Sequence, residues 1–225
     1  MTSPALNVAV LISGRGSNLK AMIDAIACNR LNMRILRVIS NRADAAGIAH
    51  AQAAGIPVSV ISHKTYPERQ FHDAAINQVL ENARVELIIL AGYMRILTEV
   101  FTRKFEGRVI NLHPSLLPLY KGLDTYNRAL KAGDSETGAS IHFVTTGLDA
   151  GPIIAQVRIP IKKTDDAMSL STRLAPQEHR LLVATLEIFC QKKIRLEAGH
   201  VFHADQRLEK PLQLRADGRL IKHTG

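Results

Sequence analysis

Short apolar runs and stretches of helical spacing alternate along the first half of the chain. Residues 7–12 (NVAVLI) form an apolar run that ends in a glycine-rich turn, and residues 18–27 continue with a helical pattern. Residues 36–40 read as strand and 47–54 as helix, then 58–61 as strand and 68–82 as helix. In the last of these, Phe71, Ala75, Ile76, Val79 and Leu80 fall on one face of a 3.6-residue period. Residues 86–91 (ELIILA) are apolar almost throughout, as a strand buried on both faces must be. Val109–His113 is a fifth strand. Such alternation implies right-handed βαβ units. The expected fold class is therefore α/β, with a doubly wound, mainly parallel sheet.

After residue 114 the pattern changes. Residues 114–123 form a loop with two prolines, and residues 125–130 look helical. Residues 138–144 and 153–159 read as two strands joined by a turn rich in Gly and Asp. Residues 167–189 have helical period but contain Pro176, which predicts a kink or a break there. The tail from residue 198 shows no sustained period. No internal repeat or low-complexity linker divides the chain, so one continuous domain is expected over its 225 residues. At that length no covalent staples are needed.

Composition narrows the function. Mean hydropathy is +0.01, and 46% of residues are hydrophobic, which suits a globular protein. Cys28 and Cys190 lie in apolar, helix-like stretches and are expected as small buried hydrophobes, not a disulfide pair. No apolar run is long enough for a membrane helix, and residues 1–7 do not read as a secretory leader, so a cytoplasmic protein is expected. Net charge is +9. The bases are dispersed except in the tail (Arg207, Lys210, Arg215, Arg219, Lys222), and aromatics make up only 4% of the chain. That is poor material for stacking nucleic-acid bases. Small phosphorylated or polycarboxylated substrates explain the charge equally well.

Three segments carry chemistry. The first, Ser13-Gly14-Arg15-Gly16-Ser17-Asn18, joins the first strand to the first helix. Unpaired N–H groups and the dipole of a helix N-terminus suit a phosphate there. The P-loop ending is absent, and so is the third glycine of a dinucleotide fingerprint. A tight turn without a ligand is the alternative. The second segment, Val109-Ile110-Asn111-Leu112-His113-Pro114, places Asn111 and His113 on one face of a strand that Pro114 ends. An Asn amide can donate to the oxyanion of a tetrahedral intermediate, and a His can move a proton between nitrogens. A histidine simply bonded to backbone is the alternative reading. The third places Asp149 between Gly147 and Gly151, in a turn that could reach the same site. A carboxylate beside an imidazole raises its pKa and sets its tautomer.

These segments resemble a known family. In order along the chain stand Gly-x-Gly-Ser-Asn at 14–18, Ala-Gly-Tyr-Met-Arg-Ile-Leu at 91–97, Asn-Leu-His-Pro-Ser-Leu-Leu-Pro at 111–118, Leu-Asp-x-Gly-Pro at 148–152 and Gln-Glu-His at 177–179. Over about residues 5 to 195 the chain is similar to the folate-dependent phosphoribosylglycinamide formyltransferases. The resemblance implies a Rossmann-like formyltransferase fold in one domain over residues 1–225. Residues 5–113 would be the phosphate half, 114–195 the folate half and 196–225 a tail. It implies transfer of the formyl group of 10-formyltetrahydrofolate to the amine of glycinamide ribonucleotide, in purine biosynthesis, with no metal and no covalent enzyme intermediate. It assigns catalytic roles to Asn111, His113 and Asp149, with Asp149 raising the His113 pKa. Gly16, Ser17, Asn18, Gly92 and Glu178 would bind the ribonucleotide, Glu178 through its ribose hydroxyls. Arg69, Tyr93, Met94, Arg95, Ile96, Leu97 and Asn111 would line the folate site, with Thr145, Thr146, Gly147 and Leu148 reading the pterin. Partners are then small molecules, with neither nucleic acid nor membrane, and the protein is a monomer or homodimer.

Asp124 and Tyr126 depart from the family pattern, where histidines are common, and Pro176 leaves the placement of Glu178 open. Two relatives compete with this reading. A formyltetrahydrofolate hydrolase usually carries a further N-terminal domain, and a methionyl-tRNA formyltransferase a further C-terminal one; neither fits these 225 residues. A basic nucleic-acid-binding module would leave Asn111, His113 and Asp149 without purpose.

Overall fold

The computed structural model describes residues 4–222. The first three residues of the stretch read against a leader and the last three of the basic tail lie outside the described residues. Its first half runs β1 (Leu6–Ile12), α1 (Ser17–Ala27), β2 (Met33–Ser40), α2 (Gly47–Ala53), β3 (Val58–Val60), α3 (Arg69–Ala83), β4 (Leu87–Leu90), α4 (Glu99–Lys104) and β5 (Val109–His113). The second half runs α5 (Thr125–Ala132), β6 (Glu136–Phe143), β7 (Ile153–Pro160) and α6 (Ala167–Cys190). Five short strands follow: β8 (Ile194–Glu197), β9 (His200–His203), β10 (Gln206–Arg207), β11 (Leu212–Leu214) and β12 (Leu220–Ile221).

A nine-stranded sheet has the order β12-β11-β7-β6-β5-β4-β1-β2-β3. Strands β1 to β5 pair in parallel, while β6 runs antiparallel to both β5 and β7. The period of two along β1 explains its place in the middle. Val8, Val10 and Ile12 enter one apolar core, against Leu19 and Met22 of α1 and Leu181 and Leu186 of α6. Ala9 and Leu11 enter a second core, with Ile76 and Leu80 of α3 and Phe101 of α4. Strand β4 splits the same way, Leu87 and Ile89 to the first and Ile88 and Leu90 to the second. Burial on both faces leaves no position for a polar side chain, which is why these runs read as continuously apolar.

Three sequence expectations change. Residues 99–104 form a helix that the apolar pattern did not announce, because six residues are too few for a period to show. Thr98 caps it, its Oγ1 accepting the Phe101 N–H at 3.4 Å, and the Phe101 and Phe105 rings pack at 4.9 Å. Helix α6 continues through Pro176 without a break. Proline removes the bond to the Thr172 carbonyl and crowds it, but both Thr172 and Pro176 are exposed, so that carbonyl is open to solvent. A capping box between Asp166 and Ser169 holds its start. Neither cysteine is buried in the core: Cys28 is exposed just past α1, and Cys190 is half-buried at the end of α6. Both stand at helix ends, where a helical stripe no longer reports burial. In the tail, β11 extends the main sheet beside β7, while β8, β9 and β10 form a small antiparallel sheet. Strands of two to four residues carry too few positions to reveal alternation. Among the described residues, no helix is long and apolar enough to cross a membrane.

One glycine locks the sheet beside the turn that carries Asp149. A Cβ on Gly151 would lie 1.8 Å from the Phe143 carbonyl oxygen, a backbone atom that cannot swing away. Gly151→Ala should therefore destabilise the fold by about 1–3 kcal/mol, as overpacking does. Chemical denaturation checks it; an unchanged midpoint would show that the 143–151 turn yields at no cost.

Candidate active site

In an open α/β sheet, ligands bind outside the carboxyl ends of the strands, where the strand order reverses. Here the order 3-2-1-4-5 reverses between β1 and β4. The loop after β1 is the glycine loop, the loop after β4 is Gly92–Leu97, and β5 ends at His113. A direct bond ties the first two: the Met94 N–H donates to the Ser13 hydroxyl at 2.8 Å.

The glycine loop forms the N-terminus of α1. Gly16 takes a left-handed φ of 74°, and a Cβ there would sit 2.5 Å from the Gly47 Cα. Only glycine permits both the turn and the approach to α2, whose Gly47 N–H donates to the Gly14 carbonyl at 2.9 Å. No side chain caps the helix, so N–H groups of its first turn remain open toward an anion. The Asn18 Oδ1 is buried without a partner.

Strand β5 supplies the chemical centre. Asn111 and His113 share a face, and both reach Asp149, across the antiparallel strand β6. The Asn111 Nδ2 donates to Asp149 Oδ1 at 3.4 Å, and His113 Nδ1 faces Asp149 Oδ2 at 3.4 Å. Asp149 adopts a φ of 44°, and the Gly122 N–H donates to its Oδ2 at 2.9 Å. His113 Nε2 lies 2.9 Å from the Tyr120 carbonyl oxygen. A carbonyl only accepts, so the neutral ring carries its proton on Nε2 and its lone pair on Nδ1. His113 is thus bonded to backbone and also stands beside a carboxylate, with which it can pair once protonated; the two sequence readings are not exclusive.

Burial pushes the His113 imidazole below the ordinary histidine value. The Tyr120 carbonyl and Asp149 pull it upward, and His142 and Arg128 add to the lowering. Asp149 thus pulls the His113 pKa upward, as expected of a neighbouring carboxylate, but burial outweighs that pull. For the Asp149 carboxyl, burial pushes upward, yet its polar neighbours, the Gly122 amide and His113 among them, hold it below the usual carboxylate range.

Residues 6–186 match the formyl transferase family model. The chain belongs to that family. It is 43% identical over 190 residues to a phosphoribosylglycinamide formyltransferase of Haemophilus influenzae, covering 84% of this chain and 90% of the relative. It is 45% identical over 197 residues to a trifunctional purine biosynthetic protein adenosine-3 of Drosophila pseudoobscura pseudoobscura, covering 87% of this chain but only 14% of that one. Its backbone is similar to the solved phosphoribosylglycinamide formyltransferase of Coxiella burnetii, with a TM-score of 0.87 at 43% identity over 91% of this chain and 96% of that one.

Within this formyltransferase fold the structure sorts the remaining sequence-named residues. In the loop after β4, Met94 and Ile96 are exposed, Arg95 is half-buried, and Tyr93 and Leu97 are packed into the second core. The side chains of that loop open to solvent are therefore Met94, Ile96 and in part Arg95, while Tyr93 and Leu97 anchor it. Asp73 of α3 supports it from behind, accepting the Thr98 N–H at 2.7 Å. Leu148, exposed beside Gly122, extends the apolar surface on the Asp149 side. Thr146 and Gly147 are exposed and Thr145 is half-buried. Arg69 opens α3 and is exposed, with no ion pair among the described residues. Glu178 lies on α6 against α5, hydrogen-bonded to Tyr126 with Arg15 nearby, and burial pushes its carboxyl up to about 7. Unbroken α6 is what brings Glu178 to the glycine loop.

Two residues escaped the sequence reading. Tyr126 appeared only as a departure, yet it holds Glu178. His142 was not singled out at all, although it stands directly opposite Asn111 across β5 and β6. The signal was present: Ser140 and His142 are polar positions two apart on β6, flanked by the apolar Ala139, Ile141 and Phe143.

Proposed function

We propose that the chain transfers the formyl group of 10-formyltetrahydrofolate to the amine of glycinamide ribonucleotide, forming formylglycinamide ribonucleotide and tetrahydrofolate. The observation that carries this reading is the convergence of Asn111, His113 and Asp149 at the end of β5, in a member of the formyl transferase family. Open N–H groups at Gly16, Ser17 and Asn18 suit the substrate phosphate, Gly92 borders the space between the two loops, and Glu178 suits the ribose hydroxyls. Met94, Arg95, Ile96 and Leu148 suit the folate, with the backbone of residues 145–148 at its pterin.

The substrate amine attacks the formyl carbon, so no enzyme nucleophile is required. Of the two Asn111 N–H bonds, the one to Asp149 at 3.4 Å is the longer, and its hydrogen is the one to turn toward the oxyanion as charge develops. The amine nitrogen loses a proton as the C–N bond forms. His113 Nδ1 carries the open lone pair and takes that proton, which completes an ion pair with Asp149. Returning the proton to N10 of the folate lets the carbon–N10 bond break and leaves His113 neutral again.

The deciding experiment follows the appearance of tetrahydrofolate from 10-formyltetrahydrofolate with and without glycinamide ribonucleotide. Release that requires the ribonucleotide is expected. Equal release without it would make water the acceptor and overturn the transferase reading in favour of a hydrolase.

Asp149→Asn tests the coupling to His113. Below its pKa His113 is charged and cannot accept a proton, so the rate falls as pH falls. The carboxylate pulls that pKa upward, so its removal should move the acid limb of the pH–rate profile to lower pH and depress the plateau. An acid limb that stays in place would show that Asp149 does not act through His113.

A further inference from the structure

His142 is buried among the reacting groups, and the proposed chemistry gives it no task. Its position follows from register. β5 and β6 pair antiparallel, and Asn111 and His142 are direct cross-strand partners, so their side chains rise on the same face. The β6 register against β7 shifts between Ile141 and His142, an irregularity of the kind that re-aims a side chain beside an active site. The ring is 2% exposed.

The hydrogen bonds around the ring determine its tautomer. Nδ1 lies 2.8 Å from the Phe143 carbonyl oxygen. A carbonyl oxygen only accepts, so Nδ1 carries the hydrogen. Nε2 lies 3.2 Å from the Asn111 Nδ2, which only donates. Nε2 is therefore the bare, accepting nitrogen, and the ring is the neutral Nδ1–H tautomer. The second acceptor of that amide, Asp149 Oδ1, agrees: 3.6 Å from His142 Nε2, it takes the other Asn111 hydrogen at 3.4 Å. Two acceptors on one side of Asn111 leave a single orientation for the amide, with NH₂ toward the reacting centre and its oxygen away.

Resting on the formyl-transfer reading, we propose that His142 is the positioning residue that orients the Asn111 amide for the oxyanion. An amide has two nearly isosteric ends, and only the NH₂ end can stabilise developing negative charge. Asp149 alone cannot hold that end, because the bond it receives is the one released to the oxyanion in the reaction. The bond to His142 Nε2 persists throughout and keeps the amide from turning over at that moment. Gly151 protects the arrangement, since a Cβ there would press on the same Phe143 carbonyl that sets the tautomer.

The test uses the intact chain, with kcat and KM for both substrates. His142→Leu removes the acceptor and should lower kcat by about 10²-fold, the cost of a misplaced catalytic group, with both KM values little changed. His142→Gln, whose Oε1 can accept in place of Nε2, should recover most of the loss. His142→Leu should have no further effect in an Asn111→Ala background, because two residues acting as a unit are not additive. Additive losses, or a loss in KM alone, would overturn the proposal. Independently of any substrate, ¹⁵N NMR of the ring should show a protonated Nδ1 and a bare Nε2; a protonated Nε2 would overturn it even if leucine at this position prevents folding. If the wild-type protein transfers no formyl group to the ribonucleotide, the functional reading fails, and the NMR result still decides the orientation of Asn111.

Discussion

Asn111→Ala is expected to lower kcat by about 10²–10³-fold, the range for losing one oxyanion donor. The substitution removes the only side-chain amide in the group formed with His113, Asp149 and His142. It also leaves Asp149 Oδ1 and His142 Nε2 without the donor they share. A thermal melt beside the kinetics separates the two consequences. KM for the ribonucleotide should change little, because the sites proposed for its phosphate and ribose, the glycine loop and Glu178, do not include this amide. A rise in KM with kcat intact would mean that Asn111 binds the ground state and not the oxyanion.

His113→Ala should cost about 10²–10⁴-fold in kcat, the usual contribution of a positioned acid–base group. The direction of its pKa sharpens this prediction. Burial holds the imidazole below the ordinary histidine value, so the neutral form that accepts a proton predominates at physiological pH. The acid limb of the wild-type profile should accordingly lie below the usual histidine range and disappear in the alanine variant. An unchanged turnover number would remove His113 from the mechanism. The effects of His113→Ala and Asn111→Ala should combine less than additively, because both residues meet at Asp149.

The parallel half of the sheet was legible in the chain because β1 and β4 are buried on both faces and therefore continuously apolar. The end of β5 was legible for a local reason: Pro114 stops the strand, and a period of two puts Asn111 and His113 on one side. The short helix after Thr98 and the tail strands were not legible, since elements this short carry no measurable period. Pro176 misled in the other direction. The rule that proline ends a helix assumes a carbonyl with no other partner, and at an exposed position water is available.

The sequence by itself determined the α/β class, the glycine turn and the pairing of Asn111 with His113, because each depends on residues close together along the chain. The motifs shared with the formyltransferases then named the chemistry. Only the tertiary structure decided which groups surround that pair. Asp149 arrives from a turn on the far side of β6, and His142 through a register set by inter-strand hydrogen bonds. Glu178 reaches the glycine loop because α6 stays whole. Tertiary structure also decided the balance at His113, where burial, a property of the whole fold, outweighs the neighbouring carboxylate that the sequence could see.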